Sequence, residues 1–401
     1  MAITSEAELG LRGDNRYPDP FRAWVCRTQE IESNESSAGY LAGLHFGVKD
    51  VIVTESLPTR FGSRVPAKAF SELLALGDAA CVRLLRQHGA KVAGKTVTAE
   101  LATYNPGPTV NPIAPEHTPG GSSSGSAAAV GAGDVPLALA TQTAGSVIRP
   151  ASFCGVMGFK PSHGRYSTEG ILTTSDTLDT LGLIGANAQV LAQVDAVLSG
   201  SAAVSGQHLP GRARRLVLYR TSYWLEAMAA TRSLIEEQFE NWRPLFAESG
   251  IRAPQAAIDS LFEVQRVIHC GELAENLGWL VDRYPSELSD SFKNMIAEGR
   301  AVTGPVLDSA RSSLRAARER VENLVPPDEI WVTPAVKGPA PALVEGTGDP
   351  MFCRSWTALG VPCATLPALG KEVSGGLPVG VQILASTGKD ELLLDTLALL
   401  A

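Results

Sequence analysis

Glycine and hydroxyl-bearing residues are concentrated at positions 120–150, in the sequence GGSSSGSAAAVGAGDVPLALATQTAGSVIRP. Ser122 and Ser146 lie in glycine-rich turns on either side of an apolar stretch. Glycine lets a backbone approach a ligand closely, and a serine becomes a nucleophile once a base removes its proton. A flexible linker would stay polar, whereas this block continues into alanine, valine and leucine, which are typical of a core. The block therefore predicts serine chemistry, which requires a base.

The histidines of this chain are not placed to act as the catalytic base of a common serine hydrolase. Residues 121–125 match G-x-S-x-G, but that motif follows a strand, and the proline-rich stretch 111–119 before it does not favour one. His269 is the last histidine and more typical of a packed core. Gly120 and Gly125 have the spacing of a phosphate-binding loop, but the Lys-Ser/Thr pair that must follow is missing. A phosphate-binding loop is therefore excluded here.

Lys49 remains as the candidate base. It lies in the apolar, strand-like run GLHFGVKDVIV at 43–53. Burial disfavours the ammonium form, so a buried lysine can be neutral and accept a proton. The alternative is a solvated surface lysine, which is the more common situation for this residue type.

The order of the motifs resembles the amidase signature family, serine hydrolases with a Ser-Ser-Lys triad. The resemblance runs from about residue 41 to the C-terminus and includes GVKD at 47–50, GKT at 94–96, GGSSSGSAAAV at 120–130, TAGSVIRPA at 143–151, CGVMGFKPSHGR at 154–165 and GLPVGVQ at 376–382. It implies an α/β fold in which a large mixed β-sheet is covered by helices on both faces.

The resemblance also implies roles for single residues. Lys49 would be the base, Ser122 the bridging serine on a cis peptide bond, and Ser146 the nucleophile that carries an acyl-enzyme. The oxyanion hole would be formed by backbone N–H groups in a tight turn. These belong to Thr143, Ala144, Gly145 and Ser146. Such a relay needs neither a metal nor an organic cofactor.

The nucleophile turn departs from the family's frequent Asp-Thr-Gly-Gly-Ser. Gln142 stands where an acid is common, and Ala144 stands where a glycine is common. These departures predict a tighter oxyanion hole and the loss of one carboxylate contact.

Arg149 is the indication of substrate specificity. The spacing Ser-Val-Ile-Arg-Pro resembles the malonamidase-like branch, in which this arginine holds the carboxylate of a small substrate. A guanidinium can bind a carboxylate through two parallel hydrogen bonds. The alternative is that Arg149 bonds a structural acid or backbone carbonyls. Gly121 and Ser123 are further candidates for substrate contact.

Composition favours one large domain. Hydrophobic residues make up 44% and charged residues 19% of the 401-residue chain, as suits a large core. Because the motifs are spread along the chain, we expect a single domain over 1–401. Its parts would be an irregular N-terminal arm (1–40, with at most a short helix around 21–31), a catalytic core (41–200), a helical pocket-covering region (about 220–325) and a C-terminal return to the core (326–401).

The net charge and the spacing of the cysteines argue against other classes of protein. A net charge of −8 argues against a nucleic-acid surface. The six cysteines form no C-x-x-C pair and are expected to be free, with Cys154 packed rather than nucleophilic. No sequence segment is apolar and long enough to cross a bilayer, and no secretory leader is apparent, so we expect a cytoplasmic protein.

The sequence therefore predicts an amidase that hydrolyses a small-molecule amide or related C–N bond. Two alternatives stay open: a glutamine amidotransferase subunit that supplies ammonia to a partner protein, and an esterase or carbamate hydrolase on the same triad. A homodimer is compatible with each of them.

Overall fold

The computed structural model describes residues 18–28, 38–201, 212–368 and 376–401. The strands in these ranges are β1 (Trp24–Arg27), β2 (His45–Lys49), β3 (Lys91–Thr96), β4 (Leu137–Gln142), β5 (Met157–Lys160), β6 (Thr180–Gly185), β7 (Arg215–Tyr219), β8 (Glu248–Arg252), β9 (Glu329–Pro334), β10 (Cys363–Pro367) and β11 (Gly380–Leu384). They form one sheet in the order β1-β3-β2-β4-β6-β5-β10-β11-β9-β7-β8. Strand β2 is parallel to β3 and β4, and β7 is parallel to β8 and β9. The other neighbours are antiparallel, so the sheet is mixed, as predicted.

The helices of the described residues are α1 (Ser71–Leu74), α2 (Ala80–Gln87), α3 (Ser124–Gly131), α4 (Ile148–Phe153), α5 (Ala188–Ser199), α6 (Ala229–Trp242), α7 (Ala256–Asp259), α8 (Leu261–Leu277), α9 (Trp279–Arg283), α10 (Asp290–Ala301), α11 (Gly304–Arg318), α12 (Val321–Leu324), α13 (Met351–Leu359) and α14 (Asp390–Leu400). None of them combines the length and the apolar character needed to cross a membrane.

Side chains of different size cover the two faces of the central sheet. On β4, Leu137 and Leu139 belong to a large apolar cluster that includes residues of α2, α5 and α14. Ala138 and Ala140 belong to a second cluster, formed with α3 and small residues around α4. Because successive side chains of a strand point to opposite faces, helices pack on both faces of the sheet. This confirms the predicted fold class.

Helix α3 packs unusually close to the sheet. Its sequence SGSAAAVG is buried for seven of its eight residues. A Cβ atom on Gly125 would lie 2.2 Å from the carbonyl oxygen of Ala23 and 2.3 Å from the amide nitrogen of Val97, so only glycine fits there. This approach places Ser122, two residues before α3, against the carboxyl end of β3.

The N-terminal arm, expected to be irregular with at most a short helix around residues 21–31, contains a strand where the structure describes it. Trp24–Arg27 form strand β1, which pairs with β3 from Trp24↔Thr96 to Arg27↔Gly94. The side chain of Trp24 is buried, and pairing with the sheet edge outweighs any local helical preference. Residues 1–17 and 29–37 of the expected irregular arm lie outside the described residues.

The region predicted to be helical, about 220–325, contains α6 to α12 and also one strand. That strand is β8, which lies at the edge of the sheet and is partly exposed. Its mixed burial leaves no clear alternation in the sequence by which to recognise it. The sequence pattern also predicts a loop and a strand over 174–185 that return to the site, followed by a short helix over 190–198. The strand and the helix are confirmed as β6 and α5.

Candidate active site

Lys49 is the last residue of β2 and is fully buried. Its Nζ atom lies 2.9 Å from Oγ of Ser122 and 2.7 Å from Oγ1 of Thr141. Strands β2 and β4 are parallel neighbours, so their carboxyl ends meet at one edge of the sheet and bring Lys49 beside Thr141. The sequence predicted the Lys49–Ser122 contact but not the one with Thr141.

Burial lowers the pKa of Lys49 to about 7, because the ammonium form loses its hydration, while the charge of Asp179 acts in the opposite direction. No carboxylate among the described residues pairs directly with its amine. The amine is therefore poised to change protonation state near neutral pH, as a general base requires.

Ser122 follows a cis peptide bond between Gly121 and Ser122, as the resemblance implied. Its side chain is buried, and its carbonyl oxygen accepts a hydrogen bond from the N–H of Ala99 at 2.9 Å. The contact between Lys49 and this hydroxyl places the candidate base and the candidate bridging serine together.

Ser146 lies in the turn between β4 and α4 and is largely buried, with 9% of its surface exposed. Its hydroxyl makes no hydrogen bond with Ser122 or Lys49 in the part of the chain that the structure describes. Catalytic hydrogen bonds of free enzymes are often long and shorten only when substrate binds.

The same turn offers unused donors. The backbone N–H groups of Ala144, Gly145 and Ser146 have no acceptor among the described residues. Three consecutive free N–H groups next to a serine can stabilise an oxyanion. At Thr143, the hydroxyl donates to Oδ1 of Asp179 at 2.5 Å, and the carbonyl accepts from Nε2 of Gln265 at 3.0 Å.

The buried side chain of Gln142 stabilises the turn between β4 and α4 through hydrogen bonds. Its Oε1 atom accepts hydrogen bonds from the N–H groups of Val147 (2.8 Å) and Ile148 (3.1 Å). Its Nε2 atom donates to Oγ1 of Thr357 at 2.9 Å, and that hydroxyl lies 2.7 Å from the carbonyl oxygen of Ala144. The amide thus supplies both an acceptor and a donor, whereas an ionised acid at this position could only accept.

The carboxylate near the site comes from Asp179, which the sequence analysis did not single out. It accepts from the N–H groups of Thr174 (2.7 Å) and Ser175 (3.0 Å) and from the hydroxyls of Thr143 and Thr174. Burial raises the pKa of Asp179, and these hydrogen bonds act against the rise. The segment 174–179 was expected to return to the site, but the sequence did not indicate which side chain would reach it.

The guanidinium of Arg149 is buried and bound to backbone carbonyls. It donates to the carbonyl oxygens of Gly121 at 2.6 Å and Gly348 at 2.7 Å, while its Nε atom has no partner among the described residues. These contacts match the alternative role considered for Arg149 and hold the segment just before Ser122. Two of its five N–H groups thus donate to backbone carbonyls, and Nη2 also lies 3.5 Å from Oγ1 of Thr347.

The other two predicted substrate contacts are enclosed. Ser123 is buried, and its hydroxyl donates to the carbonyl of Thr141 at 3.3 Å. A side chain on Gly121 would lie 2.7 Å from Cγ2 of Thr347. Both positions shape the loop around Ser122.

A small cleft of about 80 Å³ adjoins the site. Its wall combines hydroxyl-bearing residues with two carboxylates and four apolar side chains. The lining includes Thr141, Thr143, Thr174, Ser175, Asp176 and Asp179. Such a cleft offers both polar and apolar contacts to a small ligand.

Other candidate chemistry is not supported. The six cysteines are free, and burial raises the pKa of Cys154. His269 is buried, and burial lowers its pKa to about 4. No group of three metal-ligating side chains occurs in the described residues.

The chain is similar in sequence and in fold to known proteins. A sequence profile of the amidase family matches residues 24–394. A glutamyl-tRNA(Gln) amidotransferase subunit of Thermus thermophilus is 31% identical, over 88% of this chain and 83% of that protein. Indoleacetamide hydrolase of Pseudomonas savastanoi is 43% identical over 40% of this chain and 36% of that protein. A crystal structure of an amidase has a TM-score of 0.80 and 27% identity, and the match covers 94% of this chain and 91% of that one.

Proposed function

The chain belongs to the amidase family, and on that premise we propose that Lys49, Ser122 and Ser146 hydrolyse a small amide through an acyl-enzyme. Hydrolysis of C–N bonds is the chemistry of this family. The observation that carries the assignment of residues is the fully buried Lys49 amine, 2.9 Å from Ser122 and without a carboxylate partner among the described residues.

The first step is acylation. The neutral amine of Lys49 takes the proton of the Ser122 hydroxyl while Ser122 takes the proton of Ser146, whose oxygen attacks the amide carbon. The carbonyl oxygen becomes an oxyanion near the free N–H groups of Ala144, Gly145 and Ser146. When the C–N bond breaks, the leaving amine receives a proton from the Lys49 ammonium through Ser122.

The second step releases the acid. Water loses a proton to Lys49 through the same relay and attacks the ester on Ser146. The new tetrahedral intermediate collapses, the bond to Ser146 oxygen breaks, and that oxygen regains its proton from Ser122. The carboxylic acid leaves, and Lys49 is neutral again.

Ammonia release from a panel of primary amides by the purified chain tests this function. We expect turnover by the chain alone, unchanged by EDTA, and loss of turnover in the Ser146→Ala variant. Turnover that survives in Ser146→Ala, or that EDTA abolishes, contradicts the proposed chemistry.

A glutamine amidotransferase subunit is the second candidate function, because the Thermus relative has that role and matches most of this chain. Such a subunit would hydrolyse glutamine by the same relay and pass ammonia to a partner protein. Turnover of simple amides by the isolated chain favours the amidase; turnover of glutamine only after addition of a partner favours the amidotransferase role.

A further inference from the structure

Asp179 is a carboxylate beside the proposed active site to which the relay assigns no role. It directly precedes β6, whose antiparallel pairing with β4 matches Gln142 with Thr180. The next step of this register places Asp179 opposite Thr143, the first residue of the turn that follows β4. The turn segment 142–147, QTAGSV, has no acidic residue of its own. Asp179 therefore brings a carboxylate to this turn from the neighbouring strand.

Four donors bind the carboxylate of Asp179. Its Oδ1 atom accepts hydrogen bonds from the hydroxyls of Thr143 at 2.5 Å and Thr174 at 2.8 Å. Its Oδ2 atom accepts from the N–H groups of Thr174 at 2.7 Å and Ser175 at 3.0 Å. An ionised carboxylate only accepts hydrogen bonds, and about four such bonds occupy its lone pairs. Asp179 therefore acts through the protein groups that it binds rather than as a ligand of the substrate.

The segment that carries Asp179 is itself anchored by Glu272 of α8. The carboxylate of Glu272 accepts hydrogen bonds from the N–H of Thr177 at 3.0 Å and from the hydroxyls of Thr177, at 2.5 Å, and Ser175. Arg311 of α11 donates to the same carboxylate at 2.8 Å. A residue on an anchored segment keeps its partner in a fixed orientation, so this network supports the contact between Asp179 and Thr143.

The negative charge of Asp179 also acts on Lys49. Asp179 and Thr141 line the same cleft, and the Thr141 hydroxyl lies 2.7 Å from Nζ of Lys49. The charge of Asp179 opposes the lowering of the Lys49 pKa by burial. The relay converts Lys49 into a buried ammonium ion, and a nearby negative charge stabilises such an ion.

Other charged groups around Lys49 have partners of their own. Asp50, the next residue, lies 3.9 Å from Nζ of Lys95 on β3. Arg149 on α4 donates to two backbone carbonyls. Strand β4 and helix α3 carry no charged residue. Among the described residues, Asp179 is therefore the acid whose charge acts on Lys49.

We propose that Asp179 is a positioning residue of the amidase, which fixes the proposed oxyanion turn through Thr143 and stabilises the ammonium form of Lys49 through its negative charge. This inference rests on the proposed function, which supplies the reaction, and adds a residue that supports it. The two effects are separable, because the hydrogen bond acts on the turn, whereas the charge acts on Lys49.

Two variants separate the effects. We expect Asp179→Asn to lower kcat about 10- to 100-fold, the range of one hydrogen bond to a charged group. The midpoint of the kcat/KM profile should also move to lower pH, because the Lys49 ammonium loses a stabilising charge. We expect a shift of up to about one unit, since opposite charges in direct contact shift a pKa by about 1–3 units. Thr143→Val breaks the hydrogen bond and keeps the charge, so kcat should fall in the same range at an unchanged midpoint.

Asp390→Asn is the matched control. The carboxylate of Asp390 is buried and accepts hydrogen bonds from the N–H of Ser162 at 2.7 Å and from its hydroxyl at 2.6 Å. We expect this variant to lower the free energy of unfolding and to keep the wild-type kcat and pH midpoint. The same behaviour in Asp179→Asn would make Asp179 a merely structural residue and overturn the proposal. If Asp179→Asn does not fold, a wild-type kcat in Thr143→Val overturns it.

A titration of Lys49 followed by NMR gives a readout that does not depend on turnover. In protein whose lysines carry ¹³C at Cε, the Lys49 resonance is identified by its loss in Lys49→Met. We expect a lower titration midpoint in Asp179→Asn than in wild type and Thr143→Val, and equal midpoints refute the action of the charge. If no amide is hydrolysed, the proposed function fails, and this titration still decides whether Asp179 acts on Lys49.

Discussion

Two lysines are fully buried in adjacent strands, and their partners give them different chemistry. Lys95 lies 3.9 Å from Oδ1 of Asp50 and donates to Oγ1 of Thr59 at 2.9 Å. Lys49 has hydroxyl partners but no acid among the described residues. Burial lowers the pKa of Lys95 to about 8 and that of Lys49 to about 7. We therefore propose that Lys95 is a structural cation and that Lys49 is the base.

Replacing each buried lysine by methionine separates these roles. We expect Lys49→Met to lower kcat about 10²- to 10⁴-fold, the usual contribution of a general base, without loss of thermal stability. Lys95→Met should lower the free energy of unfolding by about 3–5 kcal/mol, because Asp50 is left buried without its cation. Urea unfolding and steady-state kinetics measure the two effects. Stability loss in Lys49→Met with normal activity would reverse the assignment.

The pH dependence of catalysis follows from the lowered pKa of Lys49. Below about pH 7 the amine is protonated and cannot accept a proton, so activity is lost as the pH falls. We expect kcat/KM to rise from pH 5 to about pH 8 and then level off, with the midpoint set by the coupled relay. A profile that stays flat down to pH 5 is incompatible with a lysine base.

At the level of residues, the sequence predicted the contact between Lys49 and Ser122 but not the surroundings of these two side chains. Lys49 and Ser122 stand in motifs whose order could be recognised. Thr141 and Asp179 reach the site only because β4 lies between β2 and β6. The order of strands in a sheet cannot be predicted from local sequence patterns. The carbonyl contacts of Arg149 depend on Gly348, about two hundred residues away, which no local pattern indicates.

The turn between β4 and α4 is the element on which the proposed oxyanion hole depends. Three side chains bind its backbone through hydrogen bonds: Gln142 at the end of β4, Thr357 on α13 and Gln265 on α8. Three elements distant in sequence therefore fix the direction of its free N–H groups. Preorganised donors of this kind stabilise a transition state without reorganising during the reaction.

Gln142 variants test this support. In Gln142→Leu the N–H groups of Val147 and Ile148 lose their acceptor, so we expect a loss of about 1–3 kcal/mol in unfolding free energy together with a lower kcat. Gln142→Glu keeps the acceptor and loses the donor to Thr357, and should retain more activity. Equal activity in wild type and Gln142→Leu would show that the turn does not need this side chain.

The elements themselves were predicted unevenly. Helix α5 and strand β6 matched expectation because their patterns are strong over their whole length. Strands β1 and β8 were missed because edge strands of four and five residues carry little periodicity. The pairing that defines them is contributed by β3 and β7, which the sequence does not place beside them.

The whole sheet joins distant parts of the chain. Strand β5 pairs with β10, and β11 lies between β10 and β9, so residues near 160 and residues near 380 belong to one sheet. We propose on this ground that residues 1–401 form a single domain. A cytoplasmic location and a homodimer stay predictions.

One domain implies one unfolding transition. We expect urea unfolding followed by tryptophan fluorescence and by circular dichroism to give coincident single transitions. Two separated transitions would divide the chain into independent units and contradict the single domain.

The central claim is that Ser146 is the nucleophile and that Lys49 activates it through Ser122. Intact-mass analysis after exposure to a fluorophosphonate probe, with peptide mapping of the adduct, tests it most directly. We predict one adduct on Ser146 in the wild-type protein, none in Ser146→Ala, and strongly slowed labelling in Lys49→Met. An adduct on Ser123, or labelling that does not depend on Lys49, would contradict the claim.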